Sequence, residues 1–96
     1  MNEKKEINNI VNLIKVNDLQ NAEKFASNLI NRYSNKEVGY NLLATIFIKK
    51  KKFQESIKLL LKAIKINPKF TSALINLAIT YQYLNNFSLA IKYSKK

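Results

Sequence analysis

An all-α fold of stacked, antiparallel helix hairpins is what this 96-residue sequence predicts. Three observations carry the prediction. Related residues recur with a period of about 34: Leu19, Phe53 and Phe87 share one phase, Ala22, Ser56 and Ala90 a second, Leu13, Phe47 and Tyr81 a third, and Ile10, Ala44 and Ala78 a fourth. A fixed period of this length marks units that bury their apolar faces only against one another. Within the units, apolar residues fall at i, i+3, i+4 and i+7, which places them on one face of a helix. Glycine and proline occur once each, which is too little turn chemistry for a set of strand hairpins.

The elements follow in order. The first unit keeps the phase of the period, with helices over Glu3 to Val16 and Asp18 to Arg32 and with Asp18 suited to the N-cap. Asn17 and Asn85 occupy equivalent turns, where asparagine tolerates the left-handed conformation that ends a helix. Lys51 stands at that place in the middle unit, so its turn is expected to be the strained one. Tyr40, Leu43, Ala44 and Phe47 define the buried face of a helix from Glu37 to Lys50, and Ile57, Leu60, Leu61 and Ile64 that of a helix from Phe53 to Ile66. Pro68 stops the latter, because it donates no hydrogen bond and pushes Asn67 out of the α region. Leu74, Leu77, Ala78 and Tyr81 predict a helix from Thr71 to Leu84, and Asn85-Asn86 leads into a last one from Phe87. The units are therefore 3–36, 37–70 and an incomplete 71–96. Such an end is expected of a fragment of a longer protein, and its apolar surface offers a route to self-association.

Hydrophobic residues make up 47% of the composition, enough for one folded domain and too much for a disordered tail. Cysteine and histidine are absent, so disulfides, thiolate metal sites and imidazole-assisted nucleophiles are excluded; Ser27 and Ser56 have no base to activate them. The lone Gly39 leaves no glycine-rich phosphate loop. The chain as given is expected to be neither an enzyme nor a cofactor binder. It shows no secretory pattern and no apolar run of the roughly 20 residues that span a bilayer, so the expected location is cytoplasmic.

Net charge is +11, and every basic residue except Arg32 is lysine. Phosphate recognition favours the planar fork of arginine, so this excess reads first as composition. Lys58, Lys62, Lys65 and Lys69 form a helical stripe, with Lys49 to Lys52 near one end, and a solvated outer face accounts for it. Binding of a polyanion or membrane surface through these lysines is the sharper alternative, with steep salt dependence as its mark. The period assigns Phe47, Phe53, Tyr81 and Phe87 to packing rather than to base stacking, so neither nucleic acid nor a membrane is the expected partner.

The middle unit resembles a tetratricopeptide repeat. Tyr40, Leu43, Ala44, Phe47, Ser56, Leu60, Ala63 and Pro68 fall at its signature positions in order, with Tyr40 in place of tryptophan, Ala44 of glycine and Ser56 of alanine. Leu74, Leu77, Ala78, Tyr81 and Ala90 follow the same pattern, while the first unit keeps Leu13 and Ala22 but has Ser34 where proline is usual. The resemblance implies a right-handed α-solenoid of about two and a half repeats, whose first helices line a concave groove for extended peptides. Asn8, Val11 and Lys15, with Ile7 and Ile14, would face the groove from the first repeat. Val38, Asn41, Leu42, Thr45, Ile48 and Lys49 would do so from the second, and Ser72, Ile75, Asn76, Ile79, Gln82 and Tyr83 from the third.

Chaperone-type members clamp a terminal carboxylate with basic and amide side chains; Ile7, Val11, Leu42, Ser72 and Asn76 stand at those places here, so that clamp is not expected. The run Ile75-Asn76-Leu77-Ala78 is closest to repeats of O-linked N-acetylglucosamine transferase, whose asparagine ladder is matched by Asn8 and Asn76 and interrupted by Leu42. The resulting expectation is a protein-interaction scaffold that binds a peptide or partner segment. The alternative is the N-terminal targeting module of a larger bacterial glycosyl- or sulfotransferase.

Overall fold

A computed structural model describes residues 3–95. Six helices follow one another: α1 (Glu3–Lys15), α2 (Leu19–Arg32), α3 (Glu37–Lys49), α4 (Phe53–Ile66), α5 (Thr71–Tyr83) and α6 (Phe87–Ser94). The boundaries fall within a residue of expectation at every helix end but the last. Val16, Lys50 and Leu84 lie just outside their helices, and Lys96, expected in the final helix, lies outside the described residues.

The turns inside the three hairpins are built alike. Asn17, Lys51 and Asn85 adopt φ values of 63°, 64° and 61°. In each turn the left-handed residue and its successor donate backwards into the preceding helix: Asn17 N to Ile14 O at 3.0 Å and Asp18 N to Leu13 O at 2.9 Å; Lys51 N to Ile48 O at 2.9 Å and Lys52 N to Phe47 O at 2.8 Å; Asn85 N to Gln82 O at 3.0 Å and Asn86 N to Tyr81 O at 2.8 Å. This paired bonding satisfies carbonyls that the helix end leaves open. Asp18 and Asn86 then cap the next helix by accepting from Asn21 N and Leu89 N, whereas Lys52 offers no side-chain cap to α4. The middle hairpin thus departs from its neighbours at both turn positions.

Pro68 ends α4 as expected, and Asn67 ties that turn back to α3. Its Nδ2 donates to Glu37 Oε2 at 2.7 Å, and its Oδ1 accepts from Lys69 N at 3.2 Å. The bond from Asn67, helped by the backbone at the start of α3, holds the Glu37 carboxyl below its ordinary value.

Each helix packs on the next, and α3 also touches both α1 and α5, whereas among the described residues α2, α4 and α6 make no backbone approach to one another. The odd-numbered helices therefore form the inner, more closely spaced row of a curved pile measuring 41 × 25 × 17 Å, an α-solenoid. Two cores lie along it. Ile10, Ala22, Ala26, Leu29, Leu43 and Ile46 join α1, α2 and α3; Tyr40, Ala44, Ile57, Leu60, Ala63, Ala73 and Leu77 join α3, α4 and α5. Helix α3 is buried on both sides, and Gly39 permits this: a Cβ there would lie 3.0 Å from Ile30 Cγ1 on α2.

The packing expectations need correction at Leu61 and Phe87, which are 42% and 56% exposed, while Phe47 and Tyr81 pack on the cores without being fully buried. Phe47 is only half-buried, as is Tyr81, which stacks on Tyr93 with ring centroids 5.8 Å apart. Neighbouring Ile46 and the opposing Leu60 are fully buried instead. Truncating Leu60 to alanine is therefore expected to cost about 2–5 kcal/mol.

The final hairpin shows what the next helix supplies to the others. Ile57 is 8% exposed beneath α5, while Ile91, its counterpart one period later, is 53% exposed. Among the described residues, no helix is long and apolar enough to cross a membrane.

Candidate peptide groove

On the inner row, α3 and α5 run side by side, with Asn76 of α5 hydrogen-bonded to Asn41 and Thr45 of α3. Thr45, Ile48, Lys49, Lys51, Phe53, Asn76, Ile79 and Tyr83 line a depression of about 570 Å³ between these helices. Ile48 and Ile79 give it apolar walls. Phe53, at the start of α4, and Tyr83, at the end of α5, close one end as a near-parallel stack with centroids 5.2 Å apart. Ile79, Tyr83 and Gln82 also border an adjoining hollow of about 350 Å³.

The polar side of the depression is built from α3 and α5 together. Asn76 Nδ2 donates to Asn41 Oδ1 at 2.9 Å and to Thr45 Oγ1 at 3.2 Å, and Thr45 Oγ1 in turn donates to Asn41 O at 2.9 Å. With both amide protons engaged, Asn76 has only its carbonyl oxygen to offer a ligand, and that oxygen carries no hydrogen bond among the described residues. Thr80 Oγ1 anchors the segment by donating to Asn76 O at 2.7 Å.

Of the residues expected to face a peptide, Thr45, Ile48, Lys49, Asn76, Ile79 and Tyr83 come together here, with Gln82 exposed beside them. Asn8, Val11 and Lys15 lie along α1 on the same inner row and are not part of this depression; Asn8 and Lys15 are exposed and Val11 is partly covered. Asn41 is a correction. Only 9% of it is exposed, because α5 lies across it and Asn76 donates to its amide oxygen, so its side chain meets the neighbouring helix rather than solvent.

Lys51 and Phe53 belong to the depression and were not expected there. The period assigned Phe53 to packing and Lys51 to a turn, and Lys51 lines the depression from that turn, where its φ is positive. No carboxylate lines the depression. Among the described residues, no group of three His, Cys, Asp or Glu side chains is placed to hold a metal ion, and Ser56 Oγ is buried without a hydrogen-bond partner.

Stacked hairpins with a two-walled inner groove define a helical repeat protein. Family models described as tetratricopeptide repeat match residues 39–70 and 59–92. The chain belongs to the tetratricopeptide repeat family. Its fold is similar to a solved structure described as the second TPR of Spaghetti (RPAP3) bound to HSP90 peptide SRMEEVD, with a TM-score of 0.89 at 15% identity over 97% of this chain and 86% of that one. No curated protein matches the chain's sequence.

Proposed function

We propose that this chain is a protein-interaction module that takes an extended peptide or partner segment along its inner groove. The observation that carries this reading is the depression between α3 and α5, where Ile48 and Ile79 offer apolar contact beside the unengaged carbonyl oxygen of Asn76. An extended peptide presents a backbone N–H to such an acceptor while every second side chain meets the apolar wall. Support also comes from the peptide-bound state of the similar solved structure, although that peptide's recognition belongs to that protein.

The test is a set of peptides selected from a random displayed library on the whole chain. Ile79→Glu places a charge on the groove wall at a side chain 39% exposed, so folding is retained. It is expected to weaken the selected peptides by about tenfold or more, with an unchanged thermal midpoint. Undiminished binding by Ile79→Glu would rule the groove out.

A further inference from the structure

The run Lys49-Lys50-Lys51-Lys52 is one basic patch in the sequence, but the fold divides it. Lys50 reaches back to α2, where its Nζ donates to Glu23 Oε1 at 2.5 Å. Lys52 lies over the Phe47 ring, 6.0 Å from its centroid. Lys49 and Lys51 turn the other way and line the groove depression, both exposed, and neither side chain has a hydrogen-bond, ion-pair or ring partner among the described residues. Two lysines without partners therefore line a hollow that no carboxylate lines. Past Glu55 the sequence contains no acidic residue at all.

Lys51 adds a second observation. It holds the left-handed conformation that Asn17 and Asn85 hold in the flanking hairpins, a conformation in which a long side chain is disfavoured. What lysine contributes there is its charge at the groove edge, and departures from local rules of this kind gather at functional positions.

We infer that the groove selects acidic segments: a carboxylate side chain of an extended peptide sits at the Lys49 and Lys51 ammonium groups while an apolar side chain two positions away rests on Ile48, Ile79 and the Phe53–Tyr83 pair. This rests on the peptide-groove reading and adds the chemistry of the partner. Alternation along an extended chain puts residues i and i+2 on the same side, which lets one face of the peptide meet both the charge and the apolar wall. Exposed lysines of this kind contribute specificity and association rate more than raw affinity. Nucleic acid is a poorer fit. The two rings at the groove's end are stacked on each other, and the single arginine is paired with Glu6, so neither extra stacking planes nor a free guanidinium fork is on offer.

Displayed random peptides selected on the whole chain, then resynthesised for anisotropy titrations and amide chemical-shift mapping, test this directly. Selected peptides are expected to carry Asp or Glu two positions from Leu, Ile or Val, and to shift the amides of Thr45, Ile48, Asn76 and Ile79. The double variant Lys49→Gln/Lys51→Gln should bind them about threefold to tenfold more weakly, chiefly through slower association, and with a shallower salt dependence, while Lys58→Gln/Lys65→Gln on α4 leaves affinity unchanged. Peptides that shift the same amides without acidic enrichment, or that bind the Lys49→Gln/Lys51→Gln variant equally well, would overturn the charge selection and leave the groove standing. Selected peptides that shift no groove amide would overturn the groove itself. A single-stranded oligonucleotide that shifts these amides and binds more tightly than the peptides would also overturn the inference, reassigning the lysine pair to phosphate.

Discussion

Asn76 on α5 donates both of its amide protons to α3, and the shorter of the two bonds, at 2.9 Å, ends on the oxygen of Asn41, a side chain sealed from water. An amide placed this way holds neighbouring hairpins in register and fixes which of its atoms faces a ligand. Removing either partner leaves the other inside the structure without its bond, which costs more than the bond itself contributes.

Asn41→Ala and Asn76→Ala are accordingly each expected to lower stability by about 1–3 kcal/mol, and the double variant by less than their sum. Chemical denaturation of the four proteins in the cycle gives the coupling. Strict additivity would show that the two amides do not act on each other. Because Asn76→Ala alters packing as well as the groove, Ile79→Glu is the cleaner probe of binding.

Ser56→Ala is expected to stabilise the chain by about 1 kcal/mol. Ser56 is fully buried on α4, and its hydroxyl has no hydrogen-bond partner among the described residues, so the change removes an uncompensated polar group and improves helix propensity together. A denaturation midpoint that stays put or falls would contradict this.

Lys51→Asn should also stabilise, by about 0.5–1 kcal/mol, by placing in the middle turn the residue that Asn17 and Asn85 supply to the other two. The same substitution is expected to weaken acidic peptides. Stability rising while affinity falls is the signature to look for, in paired melts and titrations.

The Glu37 carboxyl, held below its ordinary value of 4.5 chiefly by the hydrogen bond from Asn67, sets a pH dependence. A folded value below the unfolded one means the carboxylate stabilises above about pH 4.5 and that this contribution is lost as pH falls through the lower, folded value. Carboxyl titration by NMR should show the Glu37 midpoint rise towards ordinary in Asn67→Ala. An identical midpoint in both proteins would remove Asn67 as its cause.

Much of the fold was legible because the punctuation is local. Asn17, Asn85 and Pro68 act on their own backbones, and the spacing of Tyr40, Leu43 and Ala44 needs no knowledge of neighbours, so helix ends and the inward face of α3 could be read directly. Asn41 could not be. Its burial depends on α5 lying across it, a contact between consecutive hairpins that helical periodicity within α3 does not encode. One signal was present: Leu42, Leu43, Ala44, Ile46, Phe47 and Ile48 leave α3 almost without a polar face, as befits a helix covered from two sides. The groove was half legible for a similar reason. The inner phase of α3 and α5 picks out Thr45, Ile48, Asn76 and Ile79, but the division of four consecutive lysines between two faces depends on the course of the backbone through the end of α3 and the turn after it.

The double burial of α3 also sets how the chain comes apart. One cluster reaches back from it to α1 and α2 and the other forward to α4 and α5, so melting this helix dissolves both at once, whereas none of the buried members of either cluster comes from α6. Hydrogen exchange would accordingly be slowest at the centre of α3, making the hairpins on either side of it behave as one cooperative unit.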